Sequence, residues 1–138
     1  MKKDLCLKNR ISELARVHQF VSEIAEELHL DAELCMNLTL VLEEMVTNVI
    51  SYAYPADTVA DIELSAESDG RQLTFVLSDQ GKAFDPTQTE APDFDISPVD
   101  RRIGGMGIYI VRNIMNQVTY QRLEGRNLLT MTKDINKK

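Results

Sequence analysis

The sequence predicts an α+β fold, in which an antiparallel-rich sheet carries helices on one of its faces. Apolar residues recur every three or four positions in two segments before residue 55 and in one segment after residue 104, which is the spacing of amphipathic helices. Elsewhere, short runs alternate between apolar and polar residues and come in pairs, a pattern typical of strands in hairpins. The chain has 138 residues, of which 43% are hydrophobic, so we expect one globular domain over residues 1–138.

The first part of the chain is predicted to form a short edge strand followed by two helices. The strand covers residues 4–8, and the first helical pattern starts at about Ser12. Asp31 stands in front of the second helical pattern as an N-cap residue. That helix runs to about Tyr54 and ends at Pro55, because a proline lacks the N–H group that would continue the helix.

The remaining chain is predicted to contain two hairpins separated by a loop and a helix. The predicted segments are strands at 59–67 and 72–78, a loop at 79–104, a helix at 105–116, and strands at 117–123 and 128–133. A loop of this length in a compact domain is usually functional or disordered. The last two strands are joined by a predicted turn over Glu124, Gly125, Arg126 and Asn127.

Charge and cysteine content exclude several classes of function. The net charge of −7 makes the chain a poor general binder of nucleic acids, which need a basic surface. No stretch approaches the roughly 20 apolar residues of a membrane span, and the N-terminus lacks the apolar core of a signal peptide, so we expect a cytoplasmic protein. Cys6 and Cys35 form no CxxC pattern, so neither a disulfide scaffold nor a zinc site is predicted.

The first cluster that could carry chemistry is Glu44 and Asn48, in the segment LEEMVTNVISYAYP. They are four residues apart, so they lie one helical turn apart on the same face. An amide oxygen beside a carboxylate can hold Mg²⁺, and the carboxylate can remove a proton from a water or a hydroxyl group. Taken alone, the pair is more typical of a solvated polar face.

The second cluster is Asp79, Gly81 and Phe84, in LSDQGKAFDP at the end of an apolar strand. A carboxylate at a strand end can accept a hydrogen bond from an exocyclic amine, and a glycine lets a flat ring approach the backbone. The alternative is an ordinary turn, since Asp-x-Gly is common where strands end.

The third cluster is Gly104, Gly105 and Gly107, which open the apolar helix GGMGIYIVRNIM. Free N–H groups and the helix dipole make a helix N-terminus a site for anions such as phosphate. The alternatives are a flexible hinge or a close approach of the helix to the sheet. The pattern is neither a Walker A loop nor a dinucleotide-binding fingerprint, because no GK[ST] follows and no βαβ unit surrounds it.

Together and in this order, E-x-x-x-N, D-x-G-x-x-F and G-x-G resemble the ATP-binding domain of the GHKL superfamily of gyrases, heat-shock chaperones, histidine kinases and MutL proteins. The length, ISELARVHQFV near the N-terminus and GGMGIYIVRNIMNQVTYQRLEGRNLLTMTK near the C-terminus are similar to stand-alone anti-sigma-factor serine/threonine kinases of the RsbW and SpoIIAB type. The resemblance covers nearly the whole chain. It implies a two-layer α/β sandwich (the Bergerat fold) with a mixed, mostly antiparallel sheet.

The resemblance also implies roles for individual residues. Asn48 would coordinate the Mg²⁺ that bridges the phosphates, and Glu44 would act as general base toward the substrate hydroxyl. Asp79 would contact the adenine amine, with Gly81 and Phe84 in the same cofactor-binding motif. The N–H groups of residues 105–108 would face the phosphates.

Those four residues are Gly105, Met106, Gly107 and Ile108, and residues 85–104 before them would form an ATP lid that ends at Arg101 and Arg102. The chain departs from the superfamily pattern at Tyr52 and Ala83, where relatives often have histidine and glycine. No histidine-phosphorylation helix is present in the sequence, which argues against a sensor histidine kinase.

The function implied by the resemblance is an ATP- and Mg²⁺-dependent serine/threonine kinase and anti-sigma factor. It would phosphorylate a STAS-domain antagonist in a partner-switching system, with a sigma factor and a second copy of the chain as further partners, and no nucleic acid or membrane. The alternative is a non-catalytic, nucleotide-dependent binding module that sequesters a sigma factor or another regulator.

Overall fold

One five-stranded sheet and three α-helices make up the fold in a computed structural model that describes residues 1–88 and 105–135. The strands are β1 Lys2–Lys8, β2 Asp61–Ser68, β3 Gln72–Asp79, β4 Gln117–Leu123 and β5 Arg126–Asp134. The helices are α1 Leu14–Leu28, α2 Ala32–Tyr52 and α3 Gly105–Ile114. Most of the predicted lid, with Arg101 and Arg102, lies outside the described residues.

The strands follow the order β1-β2-β3-β5-β4 across the sheet. All four pairings between the described strands are antiparallel, which corrects the mixed sheet implied by the resemblance. The central strand β3 pairs with β2 through an ordinary hairpin and with β5 after the chain has passed through α3. This pairing sets Asp79 opposite Asn127 at the end of the sheet.

The hydrophobic core lies between the sheet and the described helices. Alternate strand residues are buried and join the helix side chains in a single cluster, to which the sheet contributes Leu7, Ile62, Leu64, Ala66, Leu73, Phe75, Leu77, Leu129 and Met131. The intervening residues of β2, such as Glu63 and Glu67, are exposed on the opposite face. Period-two burial of this kind results from the alternation of side chains along a strand, and the predicted two-layer α+β architecture is confirmed.

Local signals at the helix ends explain most of the helix bounds. The Asp31 carboxylate accepts a hydrogen bond from Leu34 N at 2.8 Å, so the predicted N-cap of α2 is confirmed. A 3₁₀ turn at Ile11–Glu13 precedes α1, which makes the regular helix begin two residues after the predicted start. α2 ends at Tyr52, with Ala53 as its C-cap, and Tyr54 lies beyond the helix rather than at its end.

The turn between β4 and β5 is shorter than predicted. It contains only Glu124 and Gly125, with φ angles of 52° and 78°, and such two-residue turns match the twist of the flanking strands. Arg126 and Asn127 therefore belong to β5. The correction matters because it places the Asn127 side chain inside the sheet's core-facing row.

α2 is long and apolar enough to cross a membrane by length and composition, the one such helix within the described residues. It has 21 residues and a mean hydropathy of 1.2 over an 18-residue window. However, Leu38, Leu42 and Met45 on this helix are at most 1% exposed within the domain core. The expectation that no stretch of the sequence approaches a membrane span is therefore corrected for α2, although the core helix of a globular domain can have the same length and composition.

Candidate active site

A cleft opens between the second half of α2, the end of β3 and the β4–β5 hairpin. Its walls are mostly apolar, with a few polar side chains that converge on the space. The lining residues are Met45, Asn48, Val49, Ala53, Leu77, Asp79, Phe84, Pro86, Tyr120, Asn127 and Leu129. Apolar walls with a few placed polar groups are typical of small-molecule sites, and three of the predicted site residues, Asn48, Asp79 and Phe84, meet here.

Asn48 places an amide in the core-facing side of α2, where it is only 4% exposed. Its Oδ1 atom is buried and accepts no hydrogen bond from any residue in the described part of the chain. An unsatisfied buried acceptor costs free energy, on the order of 1–3 kcal/mol. An oxygen kept in this state beside a cleft is a candidate metal ligand.

Glu44 lies one turn before Asn48 on α2 and is half-buried. Burial and the neighbouring negative charge of Glu43, in that order, raise the pKa of the Glu44 carboxyl above its usual range. A raised pKa makes the ionised carboxylate a better proton acceptor. Glu43 itself is engaged differently, because its carboxylate pairs with the imidazole of His18 on α1.

The start of α3 comes close to this pair. A Cβ atom placed on Gly107 would stand 3.1 Å from Glu44 Oε2 and 3.4 Å from the Met45 methyl group. Since the first N–H groups of a helix have no partner within it, those of residues 105–107 at the start of α3 are candidates to bind a ligand. The Ile108 side chain is 1% exposed in the core, so Ile108 could reach a ligand only through its backbone.

Asp79 ends β3 at the opposite end of the cleft and is 3% exposed. Its Oδ1 atom accepts hydrogen bonds from Gly81 N at 2.8 Å and from Asn127 Nδ2 at 2.9 Å. Neither of these bonds uses Oδ2. A carboxylate that is fixed through one oxygen leaves the other to accept a hydrogen bond from a ligand.

The structure gives a steric reason for a glycine at position 81, which the sequence did not reveal. A Cβ atom on Gly81 would stand 2.4 Å from the carbonyl oxygen of Ala53, so the glycine is needed where the loop passes the end of α2. Lys82 N donates to the same oxygen at 2.8 Å, and Gln80 N donates to the Tyr54 hydroxyl at 2.9 Å. The position of the absent side chain therefore faces the end of α2.

Phe84 stands at the edge of the cleft, where its ring stacks on Tyr52. The two ring centroids are 5.3 Å apart and the planes make an angle of 28°, within the range of favourable aromatic pairs. Tyr52 thus braces the wall that Phe84 forms.

Sequence reasoning missed the polar group on the β4–β5 hairpin. Asn127 is 5% exposed and donates to Asp79 Oδ1 and to the carbonyl oxygen of Lys82, both at 2.9 Å. Its own oxygen accepts from the Tyr120 hydroxyl and, at 3.1 Å, from the Arg122 guanidinium. The available signal was a polar residue directly before the apolar run LLTM, which the predicted four-residue turn concealed.

The chain matches the family model of the histidine kinase-like ATPase domain over residues 7–133. It is 36% identical over 101 residues to the serine/threonine-protein kinase BtrW of Bordetella bronchiseptica, covering 73% of this chain and 71% of BtrW. It is 31% identical over 91 residues to the serine-protein kinase RsbW of Staphylococcus epidermidis, covering 62% of this chain and 57% of RsbW. The chain therefore spans less than two thirds of that RsbW.

Solved structures agree with this assignment at the level of the fold. A crystal structure of the RsbU and RsbW domains of a Mycobacterium tuberculosis protein matches all of this chain and 33% of that one, with a TM-score of 0.71 and 14% identity. A histidine kinase domain from Erythrobacter litoralis matches 88% of this chain and 60% of that one, with a TM-score of 0.54 and 15% identity. The resemblance drawn from the three sequence motifs is confirmed: the chain belongs to the histidine kinase-like ATPase domain family, and its relatives include a serine/threonine-protein kinase and a serine-protein kinase.

Proposed function

We propose that this protein is an ATP-dependent serine/threonine kinase and anti-sigma factor that phosphorylates a STAS-domain antagonist in a partner-switching system. The observation that carries the proposal is the pairing of a buried, unsatisfied Asn48 Oδ1 with a Glu44 carboxyl whose pKa is raised, one turn away on α2. The kinase names of BtrW and RsbW support the reaction class. Asn48, Glu44 and the start of α3 would together provide the metal ligand, the proton acceptor and the phosphate contacts of a phosphoryl-transfer site.

The adenine end of ATP would lie at Asp79, whose Oδ2 is placed to accept a hydrogen bond from the exocyclic amine. The stacked pair of Phe84 and Tyr52 would cover one side of the base. The phosphates would extend along α2 to the start of α3, where N–H groups and the helix dipole favour negative charge. In this orientation the γ-phosphate comes near Glu44, because Gly107 and Glu44 are in contact.

Asn48 is suited to be a magnesium ligand, because its Oδ1 is a buried oxygen atom that has no hydrogen-bond partner in the described chain. Within residues 1–88 and 105–135, no three His, Cys, Asp or Glu side chains cluster as a metal site. Magnesium commonly binds through few protein ligands together with substrate phosphates, so we expect it to bind with the nucleotide. The ion would supply neutralisation of the charge on the phosphate oxygens.

Glu44 would accept the proton of the substrate serine or threonine hydroxyl while the oxygen of that hydroxyl forms a bond to the γ-phosphorus. The bond between the γ-phosphorus and the bridging oxygen breaks, and ADP keeps that bond's electron pair. Glu44 then holds the proton until solvent removes it. Most of the rate enhancement is expected from positioning and charge stabilisation, as in other phosphoryl transfers.

The proposal includes the wider setting implied by the resemblance. The protein would act in the cytoplasm as one ATP-binding domain, with a sigma factor and a second copy of the chain as further partners. Neither nucleic acid nor a membrane has a role in the proposed reaction.

The test is transfer of radiolabelled γ-phosphate to purified STAS-domain proteins in the presence of Mg²⁺. We expect the wild type to label a serine or threonine, and Glu44→Gln to bind ADP normally yet lose at least about 100-fold in transfer, the lower range for general-base catalysis. Glu43→Gln is the matched control, since it changes the adjacent carboxylate and should retain transfer.

Two results would contradict the proposal in different ways. A wild type that binds no nucleotide removes the ATP site altogether. A wild type that binds ATP but labels none of the STAS-domain candidates favours the non-catalytic binding module instead.

A further inference from the structure

The amide of Asn127 has no hydrogen-bonding capacity left for a ligand. A side-chain amide offers two N–H donors and two acceptor positions on its oxygen. Nδ2 uses both donors, on Asp79 Oδ1 and the Lys82 carbonyl oxygen. Oδ1 uses both acceptor positions, for the Tyr120 hydroxyl and the Arg122 guanidinium. Although Asn127 lines the cleft, it therefore acts on a bound base only through its neighbours.

The orientation of this amide is fixed by its environment. Tyr120 and Arg122 both bring donors to the same side of Asn127, so the oxygen must face them and Nδ2 must face Asp79. Arg122 also donates to the Gly81 carbonyl oxygen at 2.7 Å. The hairpin thus holds both the carboxylate of Asp79 and the loop after it.

One oxygen of Asp79 is saturated as a result. Oδ1 receives two N–H groups, from Gly81 and Asn127, which fills its two acceptor positions. Oδ2 remains to accept from a ligand. A carboxylate with both oxygens free can pair with two adjacent donors at once, as it does with a guanidinium. Asp79 can accept a hydrogen bond from a ligand only through Oδ2.

We infer that Asn127 is a positioning residue that sets the preference for adenine by occupying Oδ1 of Asp79. Adenine presents a single exocyclic amine beside an acceptor nitrogen, and one free oxygen serves it. Guanine presents two adjacent donors, N1–H and the 2-amine, which would bind a carboxylate through both oxygens. With Oδ1 occupied, the second of these bonds cannot form, and guanine gains nothing from its 2-amine. The inference rests on the proposed nucleotide site.

The test compares ADP, GDP and IDP, since inosine has the N1–H of guanine but lacks the 2-amine. Affinities are measured by calorimetry at fixed Mg²⁺ for the wild type, Asn127→Ala and Asn127→Leu, with circular dichroism to verify folding. Leucine keeps most of the buried volume and has no donor, so it serves if the alanine variant fails to fold. Asn113→Ala is the matched control, because Asn113 is an exposed asparagine on α3 outside the cleft.

In the wild type and in Asn113→Ala, we expect ADP to bind most tightly and GDP and IDP to bind within about twofold of each other. In the Asn127 variants we expect the affinity of GDP relative to IDP to rise about tenfold, the value of one hydrogen bond to a charged group. A purely structural role of Asn127 would weaken all three nucleotides and leave that ratio unchanged.

Each other outcome is decisive. An unchanged ratio in the folded variants overturns the inference while leaving ATP binding and the proposed kinase intact. A wild type in which GDP binds tenfold more tightly than IDP overturns it without any variant. A wild type that binds none of the three nucleotides overturns the proposed function as well.

Discussion

Gly107 and Glu44 are in contact across the packed helices α2 and α3, so closely that a Cβ atom on Gly107 would stand 3.1 Å from Glu44 Oε2. If a side chain replaced the glycine, its Cβ atom would require the carboxylate to shift by a few tenths of an ångström. The glycine at the start of α3 therefore serves the position of the carboxylate on α2, in addition to the approach of phosphates suggested by the sequence.

We expect Gly107→Ala to slow phosphoryl transfer with little loss of stability. The added methyl group displaces Glu44 by a few tenths of an ångström. A misplacement of about 1 Å can cost about 100-fold in rate, so we expect a smaller loss here. The free energy of unfolding should change little, because Oε2 is the end of a flexible side chain and alanine is the better helix former by about 1 kcal/mol. Steady-state kinetics and thermal melting measure the two quantities, and an unchanged rate would refute this role of Gly107.

Gly81→Ala is the contrasting substitution, and we expect it to act on stability first. Its Cβ would stand 2.4 Å from the Ala53 carbonyl oxygen and 2.7 Å from the Ala53 Cβ, and backbone atoms cannot move aside as a side chain does. Overpacking of this kind costs about 2 kcal/mol, which lowers the melting temperature of a domain of this size by about 7 °C. A melting temperature within 2 °C of the wild type would show that the loop relaxes freely.

Replacing Asn48 by leucine should separate stability from binding. The variant removes a buried acceptor that has no partner in the described chain, so we expect the free energy of unfolding to rise by about 1 kcal/mol. Binding of ATP with Mg²⁺ should be lost, as expected for a removed metal ligand. Asn113→Leu, on the exposed side of α3, is the control and should bind ATP normally. Loss of stability without loss of binding would assign Asn48 to packing alone.

The acid limb of the rate profile should report the environment of Glu44. Burial and the charge of Glu43 raise the pKa of Glu44, so the rate should fall with decreasing pH at values above the ordinary glutamate pKa of about 4.3. Glu43→Gln removes one of the two causes, so the limb should move to lower pH. Glu33→Gln, on the first turn of α2, should leave it in place. A limb that stays fixed in Glu43→Gln would show that another group controls the rate.

Much of the fold followed from the sequence because its signals are local. Periodicity located the three helices, and the N-cap at Asp31 was correct because a carboxylate and a nearby N–H group decide it. The bounds of β4 were also correct. The sequence could not settle that every pairing is antiparallel, because the partner of β3 is β5, which follows much later in the chain.

The candidate site was predicted only where a motif marked it. Asn48, Asp79 and Phe84 do share one cleft, although their separation in sequence gives no hint of it without the family resemblance. Asn127 was missed because its partners, Asp79 and Lys82, lie 48 and 45 residues away. The reason for Gly81 was likewise hidden, since it depends on where the end of α2 passes the loop.

The position of β5 between β3 and β4 has a consequence during synthesis. A nascent chain can pair β2 with β3 early, but the central strand β3 can pair with its other neighbour only after β5 has left the ribosome. Contacts between residues so far apart in sequence form slowly, and a half-built sheet exposes an open edge. Because Asn127 lies on β5, Asp79 gains its hydrogen bond from Asn127 only when β5 joins the sheet. We therefore expect the chain to become able to bind nucleotide only when the sheet is complete.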